Sequence, residues 1–362
     1  MEKYLDIAAK AYQGYAGYLW KEITFQVPFL RNYFWMLIAV SAFFFLLEIV
    51  RPWREDQKKF RRDFWLDFFY MFFNFFLFSL IIYNAASDVV VNLFNDGIKA
   101  VAGFDLQANN PMRYWPQWGI LLTGFVVRDF VQWWVHRLLH ASPKLWEFHK
   151  VHHSVAEMGF AAHLRYHWME NVVYRSIEYL PLALLGVGLH DFFLIHIFTL
   201  AWGHYNHANF SVDKRVTGAI TFSLLALLIT NTDPRLADMS LGVMGSIAAA
   251  SGLFGAFVMG RYMKYVFNSP EMHIWHHAHD LPEERHTGVN FGLTLALWDY
   301  IWKTDYIPYD GRDIKLGFPG VEQFPQDFVS QNLHGFGFTQ HEQKHAHLQG
   351  FAKPEEGNQA NP

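Results

Sequence analysis

The sequence predicts an all-α, multi-span membrane bundle, and three observations carry that prediction. Apolar residues make up 52% of the chain and aromatics 19%, while charged residues reach only 17%; a soluble domain carries about 25% charged residues. Several apolar stretches approach the twenty or so residues that a helix needs to cross a bilayer. Mean hydropathy stays at +0.04 only because polar stretches lie between them. Finally, none of the 20 histidines precedes His136, and most of those that follow fall in short patterns at helical spacing.

Taken in order, residues 1–32 are mixed and mildly amphipathic, an interfacial helix or a lead-in. They lack the basic start and apolar core of a cleavable signal peptide, so insertion is expected to depend on internal spans. The first span is expected at 33–50. It is followed by RPWREDQKKFRR, the most basic loop in the chain, which the positive-inside rule places in the cytoplasm. A densely aromatic second span, 64–86, leads to an outer segment with only Lys99 and Arg113 as bases. The third span, 119–139, returns inward and carries His136 and His140 at its cytoplasmic end. Arg128, Asp129 and Gln132 lie within it; a central charge against lipid costs about 2.5–3.5 kcal/mol, so they are expected to face the protein interior.

Two further spans, 172–189 and 191–202, form a hairpin that delivers His204 and His207 to the same side. Residues 216–260 form an apolar insert interrupted by NTDPR, a turn signal. It is either another membrane hairpin or a buried helical insert, and its first half is short for a crossing. In both cases the crossings stay even in number, which leaves His273, His276 and His277 cytoplasmic. Residues 33–310 then form the membrane-embedded catalytic domain. The tail 311–362 is polar, rich in Gly, Gln and Asn, and expected to be poorly ordered by its end.

The histidines carry the chemistry. His136 and His140 stand four apart and share a helix face. His149, His152 and His153 follow as H-x-x-H-H, and the same pattern returns in His273, His276 and His277. With no cysteine in the chain, thiolate zinc sites, iron–sulfur clusters and disulfides are excluded, so any metal is held by nitrogen and oxygen. Eight candidate ligands are too many for one ion; two ions with four or five nitrogens each fit the number. His207 is expected to join them, with His204 as a supplement. His167 is expected at the substrate or behind a ligand. Among the tail histidines, His334 included, nothing beyond adventitious metal binding is expected. Ligating imidazoles usually donate their second N–H to a carboxylate or carbonyl, which makes Asp129, Glu170, Asp280 and Asp299 candidates. The net charge of −4 and the lack of a basic face argue against a nucleic-acid partner.

Together, DFVQWWVHRLLH, FHKVHHS, LRYHWME, NHANF, HIWHHAHD and NFGLTLALWDYIWKT resemble the fatty acid hydroxylase/sterol desaturase superfamily over about residues 119–306. The resemblance implies an integral-membrane di-iron oxygenase acting on a sterol or fatty-acyl C–H bond, which it hydroxylates or desaturates with dioxygen and external electrons. It implies His136, His140, His149, His152, His153, His273, His276 and His277 as ligands of two Fe ions, with His207 as the intermediate histidine. Zn is able to replace the iron in purified protein. Asn290 and Asp299 belong to a closing motif of packing and support. The HPGG haem signature of a fused cytochrome b5 is absent, so a separate donor of reductase, ferredoxin or cytochrome b5 type is expected. The setting is a bacterial inner membrane or the endoplasmic reticulum, with the site facing the cytoplasm. The insert 216–260 departs from the short link expected between NHANF and the last histidine box. Alternatives are an ether-lipid or carotenoid monooxygenase of the same superfamily, or a non-catalytic haem- or metal-binding membrane protein.

Overall fold

The computed structural model describes residues 2–78, 84–103, 112, 114–185, 187, 189–236 and 238–337. Among them all extended regular structure is helical, with two isolated bridges, Phe267–Leu295 and Ala278–Leu316. Helix α1 (Glu2–Ile23) returns from the lead-in to pack on α4 (Asn84–Ala102), helped by an ion pair between Lys3 and Asp96. Helix α2 (Tyr33–Val50) starts at Asn32, whose side chain accepts the Trp35 N–H and donates to the Glu22 carbonyl at 2.9 Å. That cap satisfies one of the donors a helix start leaves open. Helix α3 (Phe64–Phe72) continues through a π-helical turn, Phe73–Leu77. The expected second span ran on to 86, and residues 79–83 lie outside the described residues.

Helix α5 (Gln117–Ala141) is the central element and contacts α6 (Pro143–His153), α7 (Trp168–Leu185) and α8 (Leu189–His207). Its buried face holds Arg128, Asp129, Gln132, His136 and His140, as the cost of placing charge against lipid requires. Ser142 is extended and Pro143 stands in the first turn of α6, where its missing N–H costs nothing; the chain turns there instead of extending α5. Helices α5, α7 and α8 form where spans were expected. They are less apolar than α2, because their buried positions include Arg128, Asp129, Glu178, Thr199 and His204.

Three helical segments among the described residues are long and apolar enough to cross a membrane: α2, α9 (Lys214–Thr232) and Leu241–Val266. The last combines α10 (Leu241–Phe254), a π and a 3-10 turn, and α11 (Met263–Val266). The insert is therefore a hairpin of two long apolar helices. Ile220, Leu224, Leu241 and Phe257 are all exposed on it. The first half looked short because its helix starts earlier, at the Asp213 cap, and runs to Thr232. The two helices meet at Gly218 and Gly255, where a Cβ on either residue would overlap the other's backbone carbonyl.

Short helices complete the site: α12 (Pro270–His276), α13 (Leu297–Trp302) and α14 (Phe328–Leu333). Beneath it Val155, Met158, Ala162, Ile274, Trp275, Ala278, Val289 and Leu316 form one apolar cluster. Full burial of one large apolar side chain stabilises by about 1.5–3 kcal/mol. The chain beyond 310 packs back as far as 337: Phe328 sits against Phe69, Tyr70 and Phe73, and the Tyr70 hydroxyl donates to Gln331. His334, for which nothing beyond adventitious metal binding was expected, is fully buried with Nε2 3.0 Å from Glu147. His341, His345 and His347 lie outside the described residues.

Candidate metal centre

Four segments bring nine imidazoles together. One group holds His136, His140, His149, His153 and His276; the other holds His152, His207, His273 and His277. Within each group the candidate ligand nitrogens lie within 4.8 Å of one another, and all nine residues are buried. The two H-x-x-H-H boxes are divided in opposite senses. From the first, the outer pair His149 and His153 enters the five-histidine group and His152 the other. From the second, the outer pair His273 and His277 enters the four-histidine group and His276 the first. Helix α5 adds His136 and His140 to one group and α8 adds His207 to the other.

The second ring nitrogens are fixed from outside. His136 Nδ1 donates to the Phe291 carbonyl at 2.7 Å, His152 Nδ1 to the Arg165 carbonyl at 3.1 Å, His207 Nδ1 to the Gly203 carbonyl at 2.8 Å and His276 Nδ1 to the Val289 carbonyl at 2.8 Å. His149 Nδ1 donates to the Glu170 carboxylate at 2.7 Å. A carbonyl oxygen only accepts, so the proton of these rings sits on Nδ1 and Nε2 carries a lone pair.

That assignment tests whether metal ions fit. His152 Nε2 and His207 Nε2 face each other at 3.3 Å, and His136 Nε2 and His149 Nε2 at 3.2 Å. Two lone pairs at such distances repel unless a cation lies between them. His140 Nε2 and both ring nitrogens of His277 are buried without any hydrogen-bond partner. Protonation is opposed by burial first and by neighbouring imidazoles second. These hold His149, His153, His273, His276 and His277 well below the ordinary value of 6.5 and His152 at about 3. A neutral, nitrogen-only, cysteine-free donor set fits two divalent transition-metal ions.

Other expected residues have different places. Glu170 meets a ligand candidate directly, as anticipated. Asp129 and Asp299 touch no histidine and act one step removed. Asp299 accepts the Trp133 indole N–H at 3.0 Å and the backbone N–H groups of Phe291 and Gly292 at 2.9 and 2.8 Å. Asp129 accepts from the Trp298 indole at 2.8 Å and from Thr294 N–H at 3.2 Å. Asn290, at a positive φ of 53°, donates to the Met272 and Tyr306 carbonyls. These three side chains hold the segment whose Val289 and Phe291 carbonyls orient His276 and His136. Asp280 is exposed and faces the half-buried His279, away from both histidine groups.

His204 joins neither group: its Nε2 faces Ser41 Oγ at 3.0 Å and its Nδ1 faces His163 at 3.2 Å. His167 is not among the residues that line the cavity; its Nε2 donates to the Asn332 carbonyl at 2.9 Å and its ring lies against Phe148. The residue that lines the cavity is His163. Residues 160–164 form a 3-10 turn followed by extended chain, so a spacing of four does not put His163 and His167 on one face. Gly203 leaves room for it, since a Cβ there would overlap the His163 ring. Arg165, given no role by the sequence, is buried; its guanidinium pairs with Asp63 at 2.8 Å and Asp67 at 3.3 Å while its carbonyl holds His152.

A cavity of about 120 Å³ opens beside the imidazoles of His136, His149, His152, His207 and His273. Phe75, Leu164, Leu200 and Leu293 give it apolar walls. Its far end carries Arg128, hydrogen-bonded to Glu178 and Thr199 and 3.0 Å from His196 Nδ1.

Comparison with known proteins agrees with this geometry. Residues 121–225 match the fatty acid hydroxylase family. Over 211 residues, 57% of the chain, the sequence is 26% identical to an ornithine lipid hydroxylase of Rhizobium tropici, covering 49% of that protein. Over 103 residues, 28% of the chain, it is 31% identical to a very-long-chain aldehyde decarbonylase of Oryza sativa, covering 34% of it. The chain thus spans half or less of the length of these curated relatives. No solved structure gives a significant match.

Proposed function

The chain belongs to the fatty acid hydroxylase superfamily, and from that premise we propose that it hydroxylates a lipid C–H bond with two iron ions, dioxygen and electrons from a separate donor. The observation that carries the proposal is the sorting of nine buried neutral imidazoles into two groups with facing lone pairs. One group would hold an ion through His136, His140, His149, His153 and His276, the other through His152, His207, His273 and His277. When bound, such a pair supplies the reduction of dioxygen and the oxidation of carbon that no side chain here performs alone. Substrate C–H, dioxygen, two electrons and two protons then give the alcohol and water. Zinc is able to take the same nitrogen sets.

The chain's own residues position and shield. The carbonyls of Val289, Phe291, Arg165 and Gly203 and the Glu170 carboxylate fix the rings, which raises their basicity and leaves Nε2 aimed inward. Phe75, Leu164, Leu200 and Leu293 receive an acyl segment and exclude water. The three apolar helices support a membrane setting, and we place the site on the cytoplasmic side, where a soluble donor reaches it. A lipid is the proposed substrate class because the printed names of both relatives are of lipid chemistry.

The test is lipid analysis of cells with and without the protein, under isotopically labelled dioxygen. One lipid should lose a product that is one labelled oxygen heavier when the protein is removed. An unchanged lipid profile, or a product whose oxygen comes from water, would overturn the proposal.

A further inference from the structure

Trp146 covers the metal centre away from the cavity, and we propose that electrons enter there, with the surface around it receiving a small one-electron carrier protein. This rests on the hydroxylase reading and names the point at which its separate donor docks. The centroid of the indole ring lies 5.0 Å from that of His140, 5.1 Å from His153 and 6.0 Å from His149, three of the five members of one group. All nine imidazoles of the two groups are buried, whereas Trp146 is only partly so.

The local sequence puts the ring there. Ser142 and Pro143 turn the chain out of α5 and start α6, on which Trp146, His149 and His153 follow at i, i+3 and i+7 and so share one face. His140, in the last turn of α5, meets the same ring across that turn. Phe318 backs the indole edge to face at 6.0 Å. Lys150, paired with Glu147 at 2.6 Å, lies 5.7 Å over the Phe318 ring, and Lys144 is exposed. Helix α6 is not among the three segments apolar enough to span a membrane, and a lysine against lipid is costly, so this face meets water.

The cavity reaches the centre from another direction. It is lined by His136, His149, His152, His207 and His273, and not by His140, His153 or Trp146. Substrate and carrier therefore have separate approaches, and neither displaces the other. Among the described residues, two other rings from outside the groups touch them: Phe291, which is buried, and His163, which faces the cavity. The exposed Tyr309 leads to Trp275, whose ring meets Tyr306 and Tyr309 and no histidine. Electron transfer weakens steeply with distance, so a ring in contact with both water and three ligand candidates is the shortest bridge. One electron leaves the carrier, crosses the indole without residing on it, and converts a bound ferric ion to ferrous. Two such transfers supply the two electrons of each turnover. The exposed Lys144 suits a carrier with carboxylates on its contact face.

The test follows reduction of the iron-loaded ferric chain in detergent by stopped-flow absorbance, without oxygen or substrate. Two reductants are compared, reduced cytochrome b5 and dithionite, and iron content and unfolding temperature are measured for every variant. Trp146→Ala should slow reduction by the cytochrome severalfold, because a protein carrier cannot enter the space the ring leaves. Dithionite is small enough to enter it and should react as fast as before or faster. Trp146→Phe should slow the cytochrome less. Lys144→Glu, at an exposed position where the fold tolerates exchange, should raise the cytochrome concentration needed for half-maximal rate at low salt and leave dithionite unchanged. Tyr309→Ala should alter neither rate. Equal slowing of both reductants by Trp146→Ala, the mark of a merely structural role, would overturn the inference. So would cytochrome rates untouched by the Trp146 and Lys144 variants, or slowed by Tyr309→Ala. A parent that dithionite reduces and the cytochrome does not would remove the docking face and leave the hydroxylase reading intact; a chain that takes up no iron would overturn both.

Discussion

His152 and His153 are neighbours in the chain, yet they serve different groups: His152 Nε2 faces His207 at 3.3 Å, and His153 Nε2 faces His276 at 3.1 Å. Successive residues on an α-helix point about 100° apart, so one short helix end is able to feed two adjacent centres. The second box does the same from the opposite direction. The pair of boxes is thus a device for holding two sites side by side.

Among the described residues Glu170 is the one carboxylate that reaches a ring of the two histidine groups directly, accepting from His149 at 2.7 Å. Removing it leaves a buried ring N–H without an acceptor and frees the ring to rotate. Glu170→Ala is expected to weaken metal retention about 10- to 100-fold, the usual cost of losing such a partner. Glu170→Gln, which keeps an acceptor oxygen, should lose less. Competition with a chelator of known affinity checks both, and equal retention by Glu170→Ala and the unmodified protein would contradict the role.

Asp299 collects the indole N–H of Trp133 and the backbone N–H groups of Phe291 and Gly292 in a buried setting. Asp299→Ala leaves four donors without an acceptor, the Thr304 hydroxyl among them, each worth about 1–3 kcal/mol when buried. A large fall in unfolding temperature is expected, with loss of metal following from displacement of the Phe291 and Val289 carbonyls. Asp299→Asn should fall between the two. A variant as stable as the parent would show that the loop stands without this anchor.

The metal-free protein should lose stability as the medium is acidified. The unfolded chain takes up protons on its imidazoles below about 6.5, whereas folded His152 does so only near about 3. His149, His153, His273, His276 and His277 are also held well below the ordinary value. Over that window the unfolded state binds more protons, so stability falls as pH falls, by up to about 1.4 kcal/mol per group per pH unit. Thermal unfolding of metal-free protein between pH 7 and pH 5 measures this, and a flat or rising profile would contradict the buried neutral assignment.

Much of this was legible in the residues alone, and the failures have physical causes. Helix α2 was found over the expected residues because its apolar run is continuous and bounded by Asn32 and Arg51. Each histidine box was visible as a pattern, because i, i+3 and i+4 share a helix face. The sorting of the boxes into two groups was not visible, since it depends on how α6 and α12 face each other across the chain. His163 was not singled out beside His167, because which of the two meets the cavity depends on how a 3-10 turn and the extended chain after it are packed. Asp129 was rightly expected inside, but sequence carries no sign that it and Asp299 hold a loop and not a ring.

The most direct measurement is the metal content of the purified chain beside His152→Ala and His153→Ala, each reconstituted with ferrous iron without oxygen. Two ions per chain are expected in the parent. Each variant should retain one, with distinct spectra, because His152 and His153 belong to different groups. A parent that binds no more than one ion, or two variants that lose the same ion and keep identical spectra, would contradict a paired centre built from the two histidine groups.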